Sequence, residues 1–423
     1  MDLEERHITT RVSQRAKGLS VPSMLPAMGG SANRPTSPED DVSCIGVAFH
    51  SYTGFGPGQT FVEIMNGMSR DGMNARALLP RLRAHPGDGA QFRATLPMPL
   101  RLMAWRYVRD RGKKSAERML LNMLDRADPA HTAVFTFPDM TLDTARAIRA
   151  RGFTLVREMT NLHRGTARRI IVEEHQAEDL PAFVEITPES VAEETEWLDL
   201  ATHIIAPNLH VAASLIEHGV AAARIRDSAY GWSRERFLQA AGIRAKRAPG
   251  QRAALFAGRV SYQKGAHLLL RAWHRAGCPG TLLLAGTIEP ELEQRLGDLL
   301  DHPSIEKLGF LKQVEDAYLR ADYFVFPSLV EGGPQVTYEA AAHGLPVIVS
   351  PMGAGRLAEG DLAGRIVDPH DCDAMAALIA DFAGRDDLDA LGAAAQHWAQ
   401  AFEWQALAAE RADIIRQAVI ATR

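Results

Sequence analysis

Short apolar runs alternate with amphipathic stretches along most of this chain. "SCIGVAF" (43–49) is an apolar run that ends in the loop "HSYTGFGPGQT"; a helical pattern follows from about Thr60, then a strand-like "ARALLP". Short apolar runs bounded by turn residues read as strands covered on both faces, and apolar residues every three to four positions read as helices. By this rule "AVFTF" (133–137), "FTLVRE" (153–158) and "HIIAP" (203–207) are strands. The stretches "DTARAIRARG" and "VAASLIEHG" between them are helices, the second closed by Gly219 where a helix turns left-handed. The pattern restarts after "RAKRAPGQ": "AALFAG", "TLLLAG", "IEKLGF", "YFVFPS" and "LPVIVS" are strands, with helices over "GAHLLLRAWHRAG" and "PELEQRLGDLL".

Strand–helix alternation of this kind predicts an α/β chain with parallel, doubly wound sheets. The restart predicts two such Rossmann-like units, one over 42–235 and one over 245–400. The terminal "FEWQALAAERADIIRQAVIATR" (402–423) is a helix with no strand after it, available to pack back on the first unit. Residues 1–41 are rich in Pro, Ser and Gly without periodicity, so a disordered tail is expected there.

Composition narrows the class. The 423 residues are 46% hydrophobic and 23% charged, the balance of an ordinary globular protein long enough for about two to three cores. A net charge of -5 argues against a dedicated nucleic-acid binder. No apolar run approaches the roughly 18 residues of a membrane-spanning helix, and the acidic start does not read as a secretory signal. Cys44, Cys278 and Cys372 are scattered thiols with no metal-ligand spacing. A cytoplasmic enzyme is expected.

Ligands of doubly wound sheets bind beyond the carboxyl ends of the strands. After "AALFAG" the chain turns at Gly258 and places Arg259 and Lys264 a few residues apart; a fork and a point charge together suit a diphosphate, although a solvated loop would look the same. After "YFVFPS" comes "LVEGGPQVTYEAAAHGLPVI". Glu331 sits in the exit loop, and Pro334 fits the first position of a helix. The amides of Gln335, Val336 and Thr337 would then offer free donors and a positive dipole end to a phosphate. Glu339, two turns on, would share one hydroxyl-rich ligand with Glu331, unless the first is a turn acid and the second an exposed helix residue. A diphosphate flanked by two polyhydroxylated groups describes a sugar nucleotide.

These residues also carry a resemblance. "EGGPQVTYEAAAHGLPVI" resembles the Glu-x7-Glu signature of the retaining glycosyltransferases of family 4, whose fold is the two-domain GT-B type with a central cleft. "AGRVSYQKGAHLLLRAW", "GRIVDPHDCDAMAALI", "HIIAPNLHVAASLIEHGV" and "RIRDSAYGWSRERF" resemble further segments of that family in the same order, over about residues 200–400.

The resemblance implies that Arg259 and Lys264 bind the donor diphosphate, that Glu331 lies by the donor sugar and that Glu339 holds the nucleotide ribose. Gly258, Gly332, Gly333, Gln335, Val336 and Thr337 complete the donor side. "GFGPGQ", with Gly56 and Gly58, corresponds to the family's glycine-rich loop, although Gln59 spoils it as a dinucleotide motif. The first-unit histidine of many members has no clear match: "FTLVREMTNLH" offers Glu158, Asn161 and His163, and His163 is the catalytic candidate. Where the family often has an Asp after the hinge, this chain has Trp232 and Ser233.

The implied activity is retaining transfer of a sugar from a nucleoside-diphosphate sugar, without a required metal, to a glycan or lipid-linked acceptor in bacterial polysaccharide or glycoconjugate synthesis. The basic stretch Pro99–Leu124, with Arg101, Arg106, Arg109, Arg111, Lys113 and Lys114 around Leu102, Trp105 and Tyr107, reads either as a solvated helix packed by its apolar side or as a peripheral contact with the anionic inner face of a membrane. Two alternatives stand beside transfer: a GT-B sugar-nucleotide epimerase, which needs no acceptor, and a non-catalytic GT-B scaffold subunit.

Overall fold

The apolar runs become parallel strands because each is covered on both faces, so no side chain in the run faces water. The computed structural model describes residues 41–54, 56–239, 247–359 and 364–423. The expected tail over 1–41 lies outside the described residues, apart from its last position.

The chain divides into two units. The first is drawn from residues up to Gly165, from Thr187–Ser228 and from Trp404–Arg423; the second comprises Thr166–Ile186 and Ala229–Glu403. In chain order the first unit holds β1 (Ser43–Val47), β2 (Ser51–Tyr52), β3 (Asn74–Leu79), β4 (Arg81–Leu82), β5 (Gln91–Ala94), β6 (Thr132–Thr136), β7 (Thr154–Glu158), β8 (His203–Ala206) and β9 (Ile225–Asp227). Its main sheet has the order β5-β3-β1-β6-β7-β8-β9, all parallel, while β2 pairs with β4 separately. The second unit holds β10 (Ala253–Ala257), β11 (Thr281–Ala285), β12 (Ile305–Gly309), β13 (Tyr323–Phe326), β14 (Val347–Val349) and β15 (Gly364–Ile366). Their order is β12-β11-β10-β13-β14-β15, again all parallel.

Both sheets reverse their winding next to the first strand, between β1 and β6 and between β10 and β13. The crevice at the carboxyl ends of those strand pairs is where a doubly wound sheet receives its ligand.

The expected boundary at 235 needs correction, since 166–186 and 229–235 fold with the second unit. The helix Arg164–Ala177 starts in the first unit and carries the chain into the second. There the Glu174 carboxylate takes His267 at 2.6 Å and His370 at 2.8 Å, and Glu178 forms a two-pronged pair with Arg271 at 2.6 Å on each prong. Periodicity marks an amphipathic helix but not the core it serves, so these ion pairs had no sequence signal.

The terminal helix Trp404–Ile420 belongs to the first unit. It lies so close to the helix Pro57–Arg70 that a Cβ added at Gly67 would come within 2.3 Å of the Ala408 Cβ. Arg411, fully buried, grips Glu158 at the end of β7 through two bonds of 3.0 and 2.6 Å and donates to the Ser228 hydroxyl at 2.8 Å.

Candidate active site

The second unit's mouth is built by backbones that approach closely. β10 stops at Ala257 and Gly258 follows with φ 134°, while Gly286, with φ 156°, follows β11. A Cβ at Gly286 would lie 1.8 Å from the Gly258 carbonyl oxygen, so only glycine lets the two exits run side by side. They are stitched by Gly258 N–H to the Ala285 carbonyl (2.9 Å), Val260 N–H to Thr287 (3.0 Å) and Glu289 N–H to Val260 (2.9 Å). This stitching sets Glu289 beside Arg259, whose Nη2 donates to Oε1 at 3.3 Å, while Oε2 accepts the Tyr262 amide at 3.2 Å. Arg259 keeps 58% of its side chain exposed.

Gly265, at φ 67°, precedes the helix Ala266–Arg275, and a Cβ there would come within 2.1 Å of the Pro327 carbonyl oxygen. That contact presses the start of this helix onto the exit of β13 and brings Lys264 to Glu331. Lys264 Nζ donates to Glu331 Oε1 at 2.5 Å and to the Val330 carbonyl at 3.4 Å; the Ser328 hydroxyl donates to the same Oε1 at 3.1 Å. Lys264 and Glu331 are largely covered, at 23% and 11% exposed. Arg259, Lys264 and Glu331 therefore lie on the exits of β10 and β13, the strands between which the winding reverses.

The stretch after Glu331 departs from expectation. Gly332 is buried, and Gly333 packs on Tyr230, whose ring would stand 2.3 Å from an added Cβ. Pro334 is the residue before the helix Gln335–Ala342, not its first residue. The amides of Gln335 and Thr337 are not free donors: they bond the carbonyls of Gly333 at 2.8 Å and Pro334 at 2.9 Å, closing the turn on itself. The Thr337 hydroxyl is buried and donates to the Gly353 carbonyl at 2.7 Å, and the Val336 carbonyl accepts the Tyr318 hydroxyl at 3.4 Å.

Glu339 has partners of its own. Its Oε2 accepts the Tyr318 hydroxyl at 2.9 Å, and its Oε1 lies 3.8 Å from Arg236, which also pairs with Glu315 at 2.8 Å. Burial pushes the Glu339 carboxyl above the usual carboxylate range, with Arg236 and Tyr318 pulling it back. The two glutamates thus sit in separate bonding environments.

In the first unit, Gly56 has φ 71° and caps the helix Pro57–Arg70, and Gly58 is buried in its first turn, 3.5 Å from Tyr52 once a Cβ is added. His163 is fully buried and stacked on His218, ring centroids 3.9 Å apart. Its Nδ1 accepts the Gly165 amide at 3.1 Å. Its Nε2 faces the Thr195 hydroxyl at 3.2 Å, and that hydroxyl donates to the Val191 carbonyl, so Nε2 carries the ring proton. A second proton would meet an N–H donor in a buried setting; burial, then His218, Arg157 and Arg164, hold the ring down to about 3. The structure makes His163 a packing residue with no vacant nitrogen, which corrects its catalytic assignment. Glu158 is spent on Arg411, and the Asn161 side chain accepts the neighbouring Leu162 amide at 2.8 Å. Trp232 is also structural, donating from Nε1 to the Ala399 carbonyl at 2.7 Å.

A pair that no sequence motif marks stands at the first unit's own reversal point. His50 follows β1, Asp139 follows β6, and His50 Nε2 lies 3.9 Å from Asp139 Oδ2. Asp139 holds φ 87°, rare for a residue with a side chain, and His50 Nδ1 is buried without a hydrogen-bond partner. Burial lowers the His50 pKa and Asp139 opposes it. The signal available in sequence was position alone, a His and an Asp a few residues beyond two apolar runs.

Comparisons with known proteins add a family to this geometry. Residues 251–384 match the family described as glycosyl transferases group 1. The D-inositol 3-phosphate glycosyltransferase of Streptomyces coelicolor is 32% identical over 183 residues, 39% of this chain and 40% of the relative. That of Streptomyces scabiei is 30% identical over 260 residues, 55% of this chain and 58% of the relative. The chain thus matches about half the length of these curated relatives or less. Among solved structures, sucrose-phosphate synthase from Thermosynechococcus elongatus superimposes with a TM-score of 0.67 at 19% identity, over 90% of this chain and 100% of that one. Anabaena HepE in complex with UDP and glucose does so with a TM-score of 0.60 at 17% identity, over 88% and 99%. The chain therefore has the GT-B fold of two parallel-sheet α/β units, and its second unit carries a glycosyl transferases group 1 domain over residues 251–384.

Proposed function

We propose that this chain is a retaining glycosyltransferase that moves a sugar from a nucleoside-diphosphate sugar to a glycan or lipid-linked acceptor, in bacterial polysaccharide or glycoconjugate synthesis. The observation that carries the reading is the Lys264–Glu331 pair, with Arg259 on the same strand exits, at the reversal point between β10 and β13. Each cation already holds a carboxylate, Lys264 that of Glu331 and Arg259 that of Glu289. A diphosphate entering the mouth exchanges those partners for its own oxygens, and Glu331 is then released toward sugar hydroxyls.

Departure of the nucleoside diphosphate builds negative charge on its β-phosphate. Lys264 and Arg259, positioned in advance, stabilise that charge as it develops. The Oε1 side of Glu339 is the candidate for the nucleotide ribose, since Oε2 is engaged by Tyr318. At the first unit's mouth the acid–base role falls to His50 with Asp139 in place of His163. This reading requires no metal.

A peripheral membrane contact fits the same reading. The helix Trp105–Leu124 buries Val108, Gly112, Ala116, Leu120 and Leu124 on one face. Just before and at its start Met98, Leu102 and Tyr107 stay 63%, 71% and 62% exposed, among Arg101, Arg106 and Arg109. Among the described residues no helix is long and apolar enough to cross a membrane. The curated relatives are named for D-inositol 3-phosphate, a small polyol phosphate, which is a different acceptor class from the one proposed for this chain.

The test is thermal stability in the presence of UDP, GDP, ADP and dTDP in turn, with Arg259→Ala as control. A nucleotide at about a hundred times its Kd adds about 2.7 kcal/mol. One nucleotide stabilising the wild type and not the variant supports the donor site and names its base; no response to any of the four weakens the active-transferase reading and moves the scaffold reading up.

A further inference from the structure

A cavity of about 1050 Å³ opens in the first unit between the edge strand β5, its neighbour β3 and the helix Trp105–Leu124. Arg76 of β3 and Arg93 of β5 line it from the sheet, and Arg118 and Arg126 from the end of the helix and just beyond it. Arg76 is the third residue of its strand and pairs with Gln91, the first of β5, so the cavity lies toward the strand starts. The reversal point, with His50 and Asp139, is at the opposite ends of the strands.

Among the described residues none of these four arginines is ion-paired. Elsewhere in the chain arginines hold carboxylates routinely, as Arg146, Arg157, Arg236, Arg271, Arg385 and Arg411 do. The one carboxylate in the lining, Asp125, is taken by Arg151 at 3.2 Å. Arg76 Nε is buried with no hydrogen-bond partner. Four like charges around one concavity repel, and a buried unpaired N–H is costly. The end of the helix contributes about half a negative charge, too little to balance them. Leu78, Phe92, Met119 and Met123 give the lining an apolar part, the last three half-buried, beside the polar Gln91, Ser115 and Asn122.

We infer that this cavity is a second binding site, for an organic phosphate: an anionic group held by the forks of Arg76, Arg93, Arg118 and Arg126, with an apolar body on Phe92 and Met119. Guanidinium forks match phosphate oxygens two at a time, which lysine does not. The same chemistry is offered by a soluble phosphorylated compound and by a phospholipid headgroup.

Two probes separate these sources. Inorganic pyrophosphate is titrated calorimetrically into the R259A/K264A chain, whose donor site is disabled, and the same chain is sedimented with phosphatidylglycerol–phosphatidylcholine vesicles. Both are repeated with R93E/R118E added, and with R76Q as a milder second variant. R93E/R118E in the otherwise wild-type chain should keep its nucleotide-induced thermal shift, which establishes that it folds. Pyrophosphate binding at one site, weakened at least tenfold by R93E/R118E and measurably by R76Q, supports a soluble ligand. Vesicle binding lost in R93E/R118E, with no pyrophosphate heat, supports a lipid headgroup. If neither probe responds to these substitutions, the four arginines are a solvated face and the inference is overturned.

Discussion

Lys264 and Glu331, 2.5 Å apart at the mouth of a parallel sheet, neutralise each other, and in the proposed function a phosphate competes for the lysine. Their types and their place beyond two apolar runs were legible in the sequence. The support beside them was not: Glu289, which holds Arg259, reaches it from the exit of β11, and no spacing marks it. Arg259→Ala and Lys264→Ala should each lower kcat/KM for transfer tens- to thousands-fold, about 2–4 kcal/mol of transition-state stabilisation; turnover near wild type in both would remove the assignment. His50→Ala or Asp139→Asn should lower transfer while leaving the nucleotide-induced thermal shift intact, because both residues are in the first unit. A lost shift would mean that these changes act through folding. His163 failed as a catalytic candidate because its environment, a second histidine and a threonine from other helices, is invisible in its own segment. Its expected signature is in stability. An unfolded histidine takes up its proton near 6.5, whereas folded His163 does so only near about 3. Between those values the unfolded chain binds the extra proton, so stability is complete above 6.5 and falls as acid is added. Between about pH 7 and pH 5 the loss assigned to His163 is about 2 kcal/mol, and urea unfolding of His163→Gln should show that much less acid sensitivity.

Elements were easier to read than their allegiances. Inner strands such as β1, β6, β10 and β13 were plain because burial on both faces writes a continuous apolar run. Edge strands β5, β9 and β15 were missed, since each has at most one fully buried residue and no such run. The turn at 333–337 misled because a proline after two glycines suits a helix start, yet the backbone here spends its own amides. The terminal helix Trp404–Ile420 was visible as a helix, whereas its anchor is a buried pair joining Arg411 to Glu158, far apart in sequence. Removing one partner leaves a charge in a dry core, so Arg411→Met should cost about 3–5 kcal/mol in chemical denaturation, and Glu158→Leu in addition should restore much of it. If the double substitution is no better than the single, the pair is not the anchor. Gly67→Val on the facing helix tests the close approach from the other side, with an overpacking cost of about 1–3 kcal/mol.

At the scale of the whole molecule, the chain leaves and re-enters its units at 165/166, 186/187, 228/229 and 403/404. Two segments far apart in sequence are therefore borrowed: 166–186 completes the second unit, and Trp404–Arg423 completes the first. The residues proposed for the nucleotide, Arg259, Lys264, Glu331 and Glu339, all belong to the second unit, with its own six-stranded sheet and core. Stopping the chain after Glu403 removes a fully buried arginine's helix from the first unit and leaves every described second-unit strand in place. Glu403 itself, which pairs with Arg234 at 3.1 Å, is retained. In scanning calorimetry the truncated chain should lose the transition of the first unit, and the nucleotide that stabilises the full chain should still raise the one that remains, because a ligand stabilises the state that binds it. Transfer should be abolished, since the acceptor-side pair His50 and Asp139 unfolds with the first unit. A truncated chain that melts as before would show that the helix contributes nothing to the first unit. A remaining transition that no longer responds to the nucleotide would show that the second unit alone does not form the donor site.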